Sequence, residues 1–348
     1  MFKVLEDMFV TGRDGISYLF EAVGIYSILR YLTRNKVMIL MYHGVTTKES
    51  IITNCDHRHV ELKKFLWQME YLKKRYYFIS FSDFMAWRNG KLKKLPPNPV
   101  IITFDDGYKN NYTQLFPILK RNKLPAMVYL QTGMIGKKNV AEHNIIQYCI
   151  NKTNKKEIVV RGKKYSLRST KEKISAVHLL RNAADKESTL SSFLAEIEKQ
   201  TAVVCSETED EDFGFMTWVQ CKEMQKQGVE FGSHTDSHPV LTRVDLGYCQ
   251  QELKKAKEIL CQRLGPTYHF CYPYGSYNDH IIRIVKEYYD TAVIIKHGYN
   301  TKKSNFYKLK RIPITSRNTN WSFVLDLFCN ASLFHHWLII CYSYLKKV

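Results

Sequence analysis

Short apolar runs alternate along the chain with longer segments in which apolar residues recur at helical spacing. Seven runs have the length and continuity of buried strands: 37–42, 100–104, 126–130, 229–232, 268–272, 291–295 and 310–314. Helical patterns separate them, among them 61–75, 112–122, 217–227, 246–264 and 279–289. This alternation predicts an α/β fold with a parallel sheet covered on both faces. Seven units favour a barrel, and periodicity alone leaves an open sheet as the alternative.

One stretch interrupts the alternation. Residues 137–212 are rich in Lys, Glu, Ser and Thr and contain two weak helical patterns, at 171–181 and 189–199. We interpret them as a helical insertion that follows a strand end, where it would shape or cover an active site. Its histidines, His143 and His178, are expected at the surface.

The insertion also carries a dense set of basic residues: Lys137, Lys138, Lys152, Lys155, Lys156, Arg161, Lys163 and Lys164. Contact with an anionic part of the substrate or with a membrane surface is one interpretation, and a solvated surface is the other. The predicted organisation is a helical segment over 1–36, a barrel over 37–315 that contains the insertion, and an amphipathic helical segment over 316–348.

Side chains that can bind a metal follow the carboxyl ends of the predicted strands. His43 follows the first strand, Asp105 and Asp106 follow the second, and His234 and His238 follow the strand at 229–232. In barrels of this class the active site forms at that face. Two histidines four residues apart can meet one cation. A carboxylate would complete a two-His, one-carboxylate set with positions open for water and substrate.

The adjacent aspartates suit a division of labour at such a metal. One can ligate the cation while the other takes a proton from water, because a bound metal lowers the pKa of water. Gly107 permits the sharp turn that the pair requires. The competing interpretation is an Asp-Asp-Gly turn with solvated carboxylates, and the nearby pair of histidines favours the metal site.

Three motifs resemble those of the polysaccharide deacetylases, the NodB-homology group or carbohydrate esterase family four. They are I-I-T-F-D-D-G-Y at 101–108, G-S-H-T-D-S-H at 232–238 and Y-P-Y-G at 272–275. The segment I-L-M-Y-H-G-V at 39–45 is similar to the branch that acts on poly-N-acetylglucosamine-type polymers, in which this histidine comes early. The resemblance covers 37–315 apart from the insertion, and it implies a distorted (β/α) barrel of the NodB type.

The resemblance implies a role for each matching residue. Asp105 looks like the general base, and Asp106, His234 and His238 look like the ligands of a divalent metal. His43 looks like the general acid that protonates the leaving nitrogen. Zinc is the first choice for this ligand set, and cobalt, nickel or iron fit the same residues.

The third motif supplies the expected substrate contacts. Tyr274 occupies the place whose backbone N–H holds the oxyanion in the family, and we group Tyr272 and Arg311 with it as substrate-binding residues. Many family members carry an arginine shortly before this turn that pairs with the base, but 269–272 contains none. Arg311 is a candidate for that pairing, and a salt bridge elsewhere is the alternative.

Composition restricts the partners. The 348 residues carry 52 Lys and Arg against 33 Asp and Glu, a net charge of +19 that favours anionic partners such as acidic lipids or phosphorylated substrates. No nucleic-acid-binding motif accompanies this charge, which disfavours nucleic acid. The nine cysteines form no C-x-x-C pair and are odd in number, which argues against a disulfide scaffold and for a reducing compartment.

The first residues lack the apolar core of a secretory signal peptide, and no run of about 18 apolar residues appears. We therefore expect a cytoplasmic protein that at most contacts a membrane peripherally. The predicted function is metal-dependent hydrolysis of N-acetyl groups on an amino-sugar glycan or on a lipid- or nucleotide-linked glycan precursor. The alternatives are a deformylase acting on a lipid-linked formamido sugar, and a non-catalytic barrel that binds glycan or nucleic acid.

Overall fold

The computed structural model describes residues 2–328 apart from 48–53, 185–186 and 188. Its strands are β1 (Met38–Tyr42), β2 (Gly44–Thr46), β3 (His59–Glu61), β4 (Tyr77–Phe78), β5 (Pro99–Phe104), β6 (Ala126–Leu130), β7 (Glu157–Val160), β8 (Lys163–Ser166), β9 (Val229–Ser233), β10 (His269–Cys271), β11 (Thr291–Ile295) and β12 (Leu309–Pro313). Its helices are α1 (Phe2–Ala22), α2 (Ile25–Thr33), α3 (Leu62–Lys73), α4 (Phe81–Arg88), α5 (Phe116–Asn122), α6 (Ile145–Lys152), α7 (Thr170–Ala184), α8 (Leu190–Thr201), α9 (Trp218–Lys226), α10 (Leu246–Leu264), α11 (Asp279–Tyr288) and α12 (Asn320–Phe328).

Seven parallel strands close into a barrel in the order β1, β12, β11, β10, β9, β6 and β5. The ring closes because β5 also pairs with β1 along its full length, from Met38 opposite Val100 to Tyr42 opposite Phe104. Strand β4 extends the sheet outside the ring by pairing with β5. The barrel predicted from the alternation is confirmed, and each of its seven strands overlaps one of the seven predicted runs.

Successive residues of a barrel strand face opposite sides, because side chains alternate in direction along a strand. One set faces the barrel interior and the other faces the surrounding helices. Ile39, Ile101 and Met127 pack across the barrel interior with residues such as Val293 and Leu309 of the opposite strands. The sequence neighbours of Ile39, Ile101 and Met127 face the surrounding helices in a second, larger cluster, and those of Val293 belong to a third. Burial on both sides explains why the strands read as continuous apolar runs.

The terminal helices pack together beside the barrel. The predicted N-terminal helical region divides into α1 and α2 at Gly24, whose φ of 80° turns the chain. Tyr26 stacks on Phe328 of α12 with ring centroids 4.5 Å apart, and Ser17 donates a hydrogen bond to the carbonyl of Trp321. Residues beyond 328 of the predicted segment 316–348 lie outside the described part of the chain.

Helix α4 begins after Ser80, which is its N-cap and forms a capping box with Asp83. Among the described residues, no helix combines the length and the apolar character that crossing a membrane requires.

The stretch between β6 and β9 forms a unit with its own core. Helices α6, α7 and α8 and the antiparallel hairpin of β7 and β8 enclose a cluster that includes Ile150, Val177, Phe193 and Ile197. The sequence analysis did not predict this hairpin, although the apolar run at 158–160 before Arg161-Gly162, two residues with positive φ, is a signal for one. The domain boundaries given above remain a prediction.

Candidate active site

Three buried side chains converge where β5 and β9 end. The Nε2 atoms of His234 and His238 lie 3.2 Å apart, and each lies 3.6 Å from Oδ1 of Asp106. All three side chains are almost fully buried. The structure therefore brings together the three residues predicted as metal ligands.

Local backbone geometry turns these side chains inward. Asp106 and His238 have φ angles of 75° and 64°, in the left-handed region that residues other than glycine seldom adopt. At Gly107, with φ 82°, a Cβ atom would approach Leu130 to 2.6 Å, so the turn after Asp106 requires glycine. The buried carboxylate of Glu252 accepts hydrogen bonds from the backbone N–H groups of residues 236 and 237, which fixes the loop between the histidines.

Outer hydrogen bonds orient two of the three side chains. Nδ1 of His234 lies 2.8 Å from the carbonyl oxygen of Cys271; a ring N–H there leaves the Nε2 lone pair facing Asp106 and His238. The amide of Gln131 donates to Oδ1 of Asp106 at 2.6 Å. Gln131 follows β6, and nothing in the sequence had singled it out.

The donor set fits a divalent cation. Two imidazole nitrogens that face each other at 3.2 Å beside a carboxylate are ligand atoms that Zn²⁺ and related metals prefer. Burial raises the pKa of Asp106, but His238, His43 and His234 outweigh it and hold the pKa well below its usual value, so the carboxylate is available as an anion. Burial also lowers the pKa of His238 strongly, which favours the neutral imidazole that binds metal.

A second set of possible ligands, Asp105, His234 and Cys271, also lies close together. It fits a metal less well, because Arg311 engages both carboxylate oxygens of Asp105. Burial raises the pKa of the Cys271 thiol well above its usual value, so the sulfur stays protonated and is a poor ligand.

Asp105 is held by a two-point ion pair. Nη1 and Nη2 of Arg311 lie 2.7 and 2.8 Å from its two carboxylate oxygens, and the arginine has no solvent exposure. Burial tends to raise the pKa of Asp105, but Arg311 outweighs it and the pKa is lowered. Of the two alternatives left open for Arg311, the structure shows the pairing with this carboxylate.

His43 follows β1 at the same end of the barrel. Asn111 donates a hydrogen bond to its backbone carbonyl at 2.9 Å, which fixes the chain at this point. Burial lowers the pKa of His43, while the carboxylates of Asp106 and Asp105 act in the opposite direction. This imidazole is therefore placed in the field of both aspartates.

A pocket of about 290 Å³ lies next to the candidate metal ligands, and His238 is the one of them that lines it. Tyr274 also lines the pocket, with its ring centroid 4.6 Å from that of His238. The insertion contributes much of the wall, both polar and aliphatic, through Glu142, His143, Ile146, Arg181, Ala184, Leu190 and Leu194. The barrel side adds Arg58 and Ser237.

His143 was expected at the surface, and that expectation is wrong. Its ring centroid lies 4.8 Å from that of His238, and it lines the pocket. Burial, with a smaller contribution from Arg58, lowers the pKa of His143 to about 3, so the ring is neutral. The sequence analysis did not identify Arg58 as a pocket residue either. Neither Arg58 nor His143 belongs to a recognisable motif.

Two predicted substrate contacts need correction. Tyr272 is 1% exposed and donates its hydroxyl hydrogen to the carbonyl of Tyr307, which makes it a core residue. Arg311 lies behind Asp105, outside the pocket. Tyr274 alone of the three predicted contacts lines the pocket. The basic residues listed for the insertion are also absent from the pocket lining.

With this geometry established, comparison with known proteins identifies the family. The sequence profile of the polysaccharide deacetylase family matches residues 92–293, more than half of the chain. The chain belongs to the polysaccharide deacetylase family. Membership places it among hydrolases that deacetylate carbohydrates.

Individual relatives agree with this assignment. Polysaccharide deacetylase YxkH of Bacillus subtilis is 22% identical over 282 residues, which cover 80% of this chain and 72% of that protein. A poly-beta-1,6-N-acetyl-D-glucosamine N-deacetylase of Staphylococcus aureus is 30% identical over 139 residues, 37% of this chain and only 46% of that protein.

Solved structures show the same fold. The Streptococcus pyogenes deacetylase PplD, in complex with acetate, superposes with a TM-score of 0.56 at 21% identity, covering 85% of this chain and 99% of that chain. IcaB from Ammonifex degensii gives a TM-score of 0.55 at 18% identity, covering 84% of this chain and 97% of that chain.

Proposed function

We propose that this deacetylase hydrolyses N-acetyl groups of an amino-sugar glycan and that it depends on a divalent metal. The observation that carries the proposal is the buried cluster of Asp106, His234 and His238, next to an Asp105 that Arg311 holds. His238 of this cluster also lines the pocket. The relative named as a poly-N-acetylglucosamine deacetylase supports an amino sugar as the substrate class.

Asp106, His234 and His238 would hold the metal, with zinc as the first choice. When bound, the metal polarises the acetyl carbonyl and lowers the pKa of water. Asp105 takes the proton from the attacking water, because its lowered pKa keeps it ionised. Arg311 fixes the orientation of that carboxylate.

His43 delivers a proton to the leaving nitrogen. An amine is a poor leaving group without protonation, so an acid at this point is needed for an amide substrate. Burial lowers the pKa of His43, and the nearby carboxylates of Asp106 and Asp105 offset part of this effect. Tyr274 has φ 56°, and we assign its backbone N–H to the developing oxyanion.

The substrate is a glycan or its lipid- or nucleotide-linked precursor. We favour a precursor on the cytoplasmic side, because the seven cysteines of the described residues are all unpaired, as in a reducing compartment. Arg58 and Arg181 line the pocket and suit an anionic carrier. A lipid-linked formamido sugar would undergo the same chemistry, and a non-catalytic glycan or nucleic-acid barrel is the remaining alternative.

The test combines metal analysis with a substrate panel. His234→Ala and His238→Ala should each lose bound metal and deacetylation, while His280→Ala, on the exposed face of α11, should keep both. The panel contains free, nucleotide-linked and lipid-linked N-acetyl and N-formyl amino sugars. Full metal content in both variants, or no deacylation of any substrate by the wild type, would overturn the proposal.

A further inference from the structure

The hairpin of α1 and α2 presents a large apolar face to solvent. Six large side chains between positions 18 and 32 are each 55–65% exposed: Tyr18, Leu19, Val23, Ile28, Tyr31 and Leu32. We call this set the hairpin face. Single exposed apolar residues are common, whereas a cluster of this size on consecutive helices indicates an interaction surface.

The hairpin face is the outer side of an amphipathic structure. Ile28, Tyr31 and Leu32 lie at i, i+3 and i+4 on α2 and therefore share one side of that helix. The inner side packs on α12 through Ser17 and Tyr26, both fully buried. Tyr18 also packs edge-on against Trp321 of α12, with ring centroids 5.3 Å apart, whereas the other five residues of the hairpin face are not part of the core that the described residues form.

Charge around the hairpin face is selectively positive. Arg34 lies over the ring of Tyr31, with 3.9 Å from its guanidinium carbon to the ring centroid, and Lys36 is exposed just beyond α2. The acidic residues of this region are engaged internally. Glu21 pairs with Arg30 and Arg75, and Asp14 accepts a hydrogen bond from Thr319.

We propose that the hairpin face inserts into the surface of a bilayer that contains anionic phospholipid. Aliphatic side chains flanked by tyrosines and cationic residues are the composition of helices that lie in the membrane interface. This inference goes beyond the proposed reaction and does not depend on it. It also places membrane contact on the hairpin, whereas the charge of the insertion had suggested that contact there.

The remaining chain follows α12, on the inner side of the hairpin. Phe328, the last described residue, stacks on the buried Tyr26. The following sequence, 329–348, contains L-F-H-H-W-L-I-I and Lys346-Lys347, again apolar residues with basic ones. This composition matches that of the hairpin face and favours a lipid surface as the occupant.

The experiment measures cosedimentation with vesicles made of equal parts phosphatidylglycerol and phosphatidylcholine. The variant carries Leu19→Ser, Val23→Ser, Ile28→Ser and Leu32→Ser. We expect the wild type to bind, and the variant to bind on the order of 100-fold more weakly, because four aliphatic groups no longer leave water. Phosphatidylcholine alone or high salt should weaken wild-type binding, since both reduce the electrostatic attraction.

The matched control is Val204→Ser with Val219→Ser, two exposed valines outside the hairpin, which should bind vesicles like the wild type. Thermal unfolding and hydrolysis of a soluble acetamide should be unchanged in both variants, so a failed reaction is distinguishable from a failed membrane contact. A wild type that ignores vesicles, a hairpin variant that binds fully, or a dimer that only the hairpin substitutions dissociate would overturn the proposal.

Discussion

Arg311 donates hydrogen bonds to both carboxylate oxygens of Asp105, with Nη1 2.7 Å from Oδ1 and Nη2 2.8 Å from Oδ2. The two residues are 206 positions apart in the sequence, but β5 and β12 both pair with β1 and so lie close together. The family arginine that usually precedes the third motif is missing here. A different strand supplies the guanidinium to the carboxylate that we propose as the base.

Replacing Arg311 with Met should raise the pKa of Asp105, since the guanidinium is what lowers it. The base would then remain protonated to higher pH, and the acidic limb of the kcat/KM profile should move upward. Loss of one partner of a buried pair should also cost roughly 3–5 kcal/mol in the free energy of unfolding. Arg311→Lys keeps the charge and should restore part of the pH profile. An acidic limb that does not move in the folded Met variant would contradict this role.

His43→Ala should affect substrates according to their leaving group. Hydrolysis of an N-acetyl sugar should fall roughly 100-fold or more, because the amine must be protonated as it departs. An activated aryl acetate needs little protonation and should lose far less. The matched control is His178→Ala, an exposed histidine of α7. Equal losses on amide and ester would argue against His43 as the acid.

Arg181→Met should alter substrate selection without altering the chemistry. The residue lines the pocket, and loss of one charge-assisted hydrogen bond should raise the KM for a pyrophosphate-linked amino sugar about tenfold. The kcat for a neutral N-acetylglucosamine oligomer should stay unchanged. Charge reversal at Lys155 and Lys156 is the control, because neither residue lines the pocket. Parallel changes on both substrates would remove Arg181 as a selectivity residue.

The ionisation of Asp56 should make the free energy of unfolding depend on pH. Its carboxylate pairs with Arg58 at 2.9 Å and with Arg181 at 3.5 Å. Burial opposes its ionisation, but the two arginines outweigh this and lower its pKa to about 2. A lowered pKa stabilises the fold above the unfolded value, near 4, and the gain disappears as the pH falls through about 2.

Asp56→Asn should therefore lower the free energy of unfolding by about 2 kcal/mol at pH 7, and the difference from the wild type should shrink between about pH 4 and pH 2. Denaturant titrations across this range measure it. Glu70→Gln, in an exposed pair with Lys73, is the control with little expected effect at any pH. A difference that persists undiminished below pH 2 would contradict the assignment.

The sequence predicted the barrel well because its strands are buried on both sides. Runs such as 126–130 and 291–295 have the bounds of β6 and β11, and the polar residues after the strands meet in one site. That the three candidate metal ligands lie close together could be predicted for the same reason. Carboxyl ends of parallel strands gather at one face, so chain position alone placed Asp106 and His238 together.

The rest of the site depends on contacts that no local pattern encodes. His143 reaches the pocket because the insertion packs beside the barrel, and Arg58 reaches it from the segment just before β3. Tyr272 belongs to the third motif, but it lies one residue after β10 and packs in the same core cluster as Phe270, where its hydroxyl donates a hydrogen bond to the carbonyl of Tyr307. The pairing of Arg311 with Asp105 depends on β12 lying next to β1, which no local sequence pattern indicates.

The aliphatic wall of the pocket is built on a core separate from that of the barrel. Mutations in α7 and α8 can thus change the shape of the pocket while Asp105 and the loop from His234 to His238 stay unchanged. The insertion and the barrel can therefore evolve at different rates. The insertion tolerates substitutions that the strand ends around Asp105 and Asp106 do not. Related proteins that differ in substrate preference should then differ in sequence chiefly between β6 and β9.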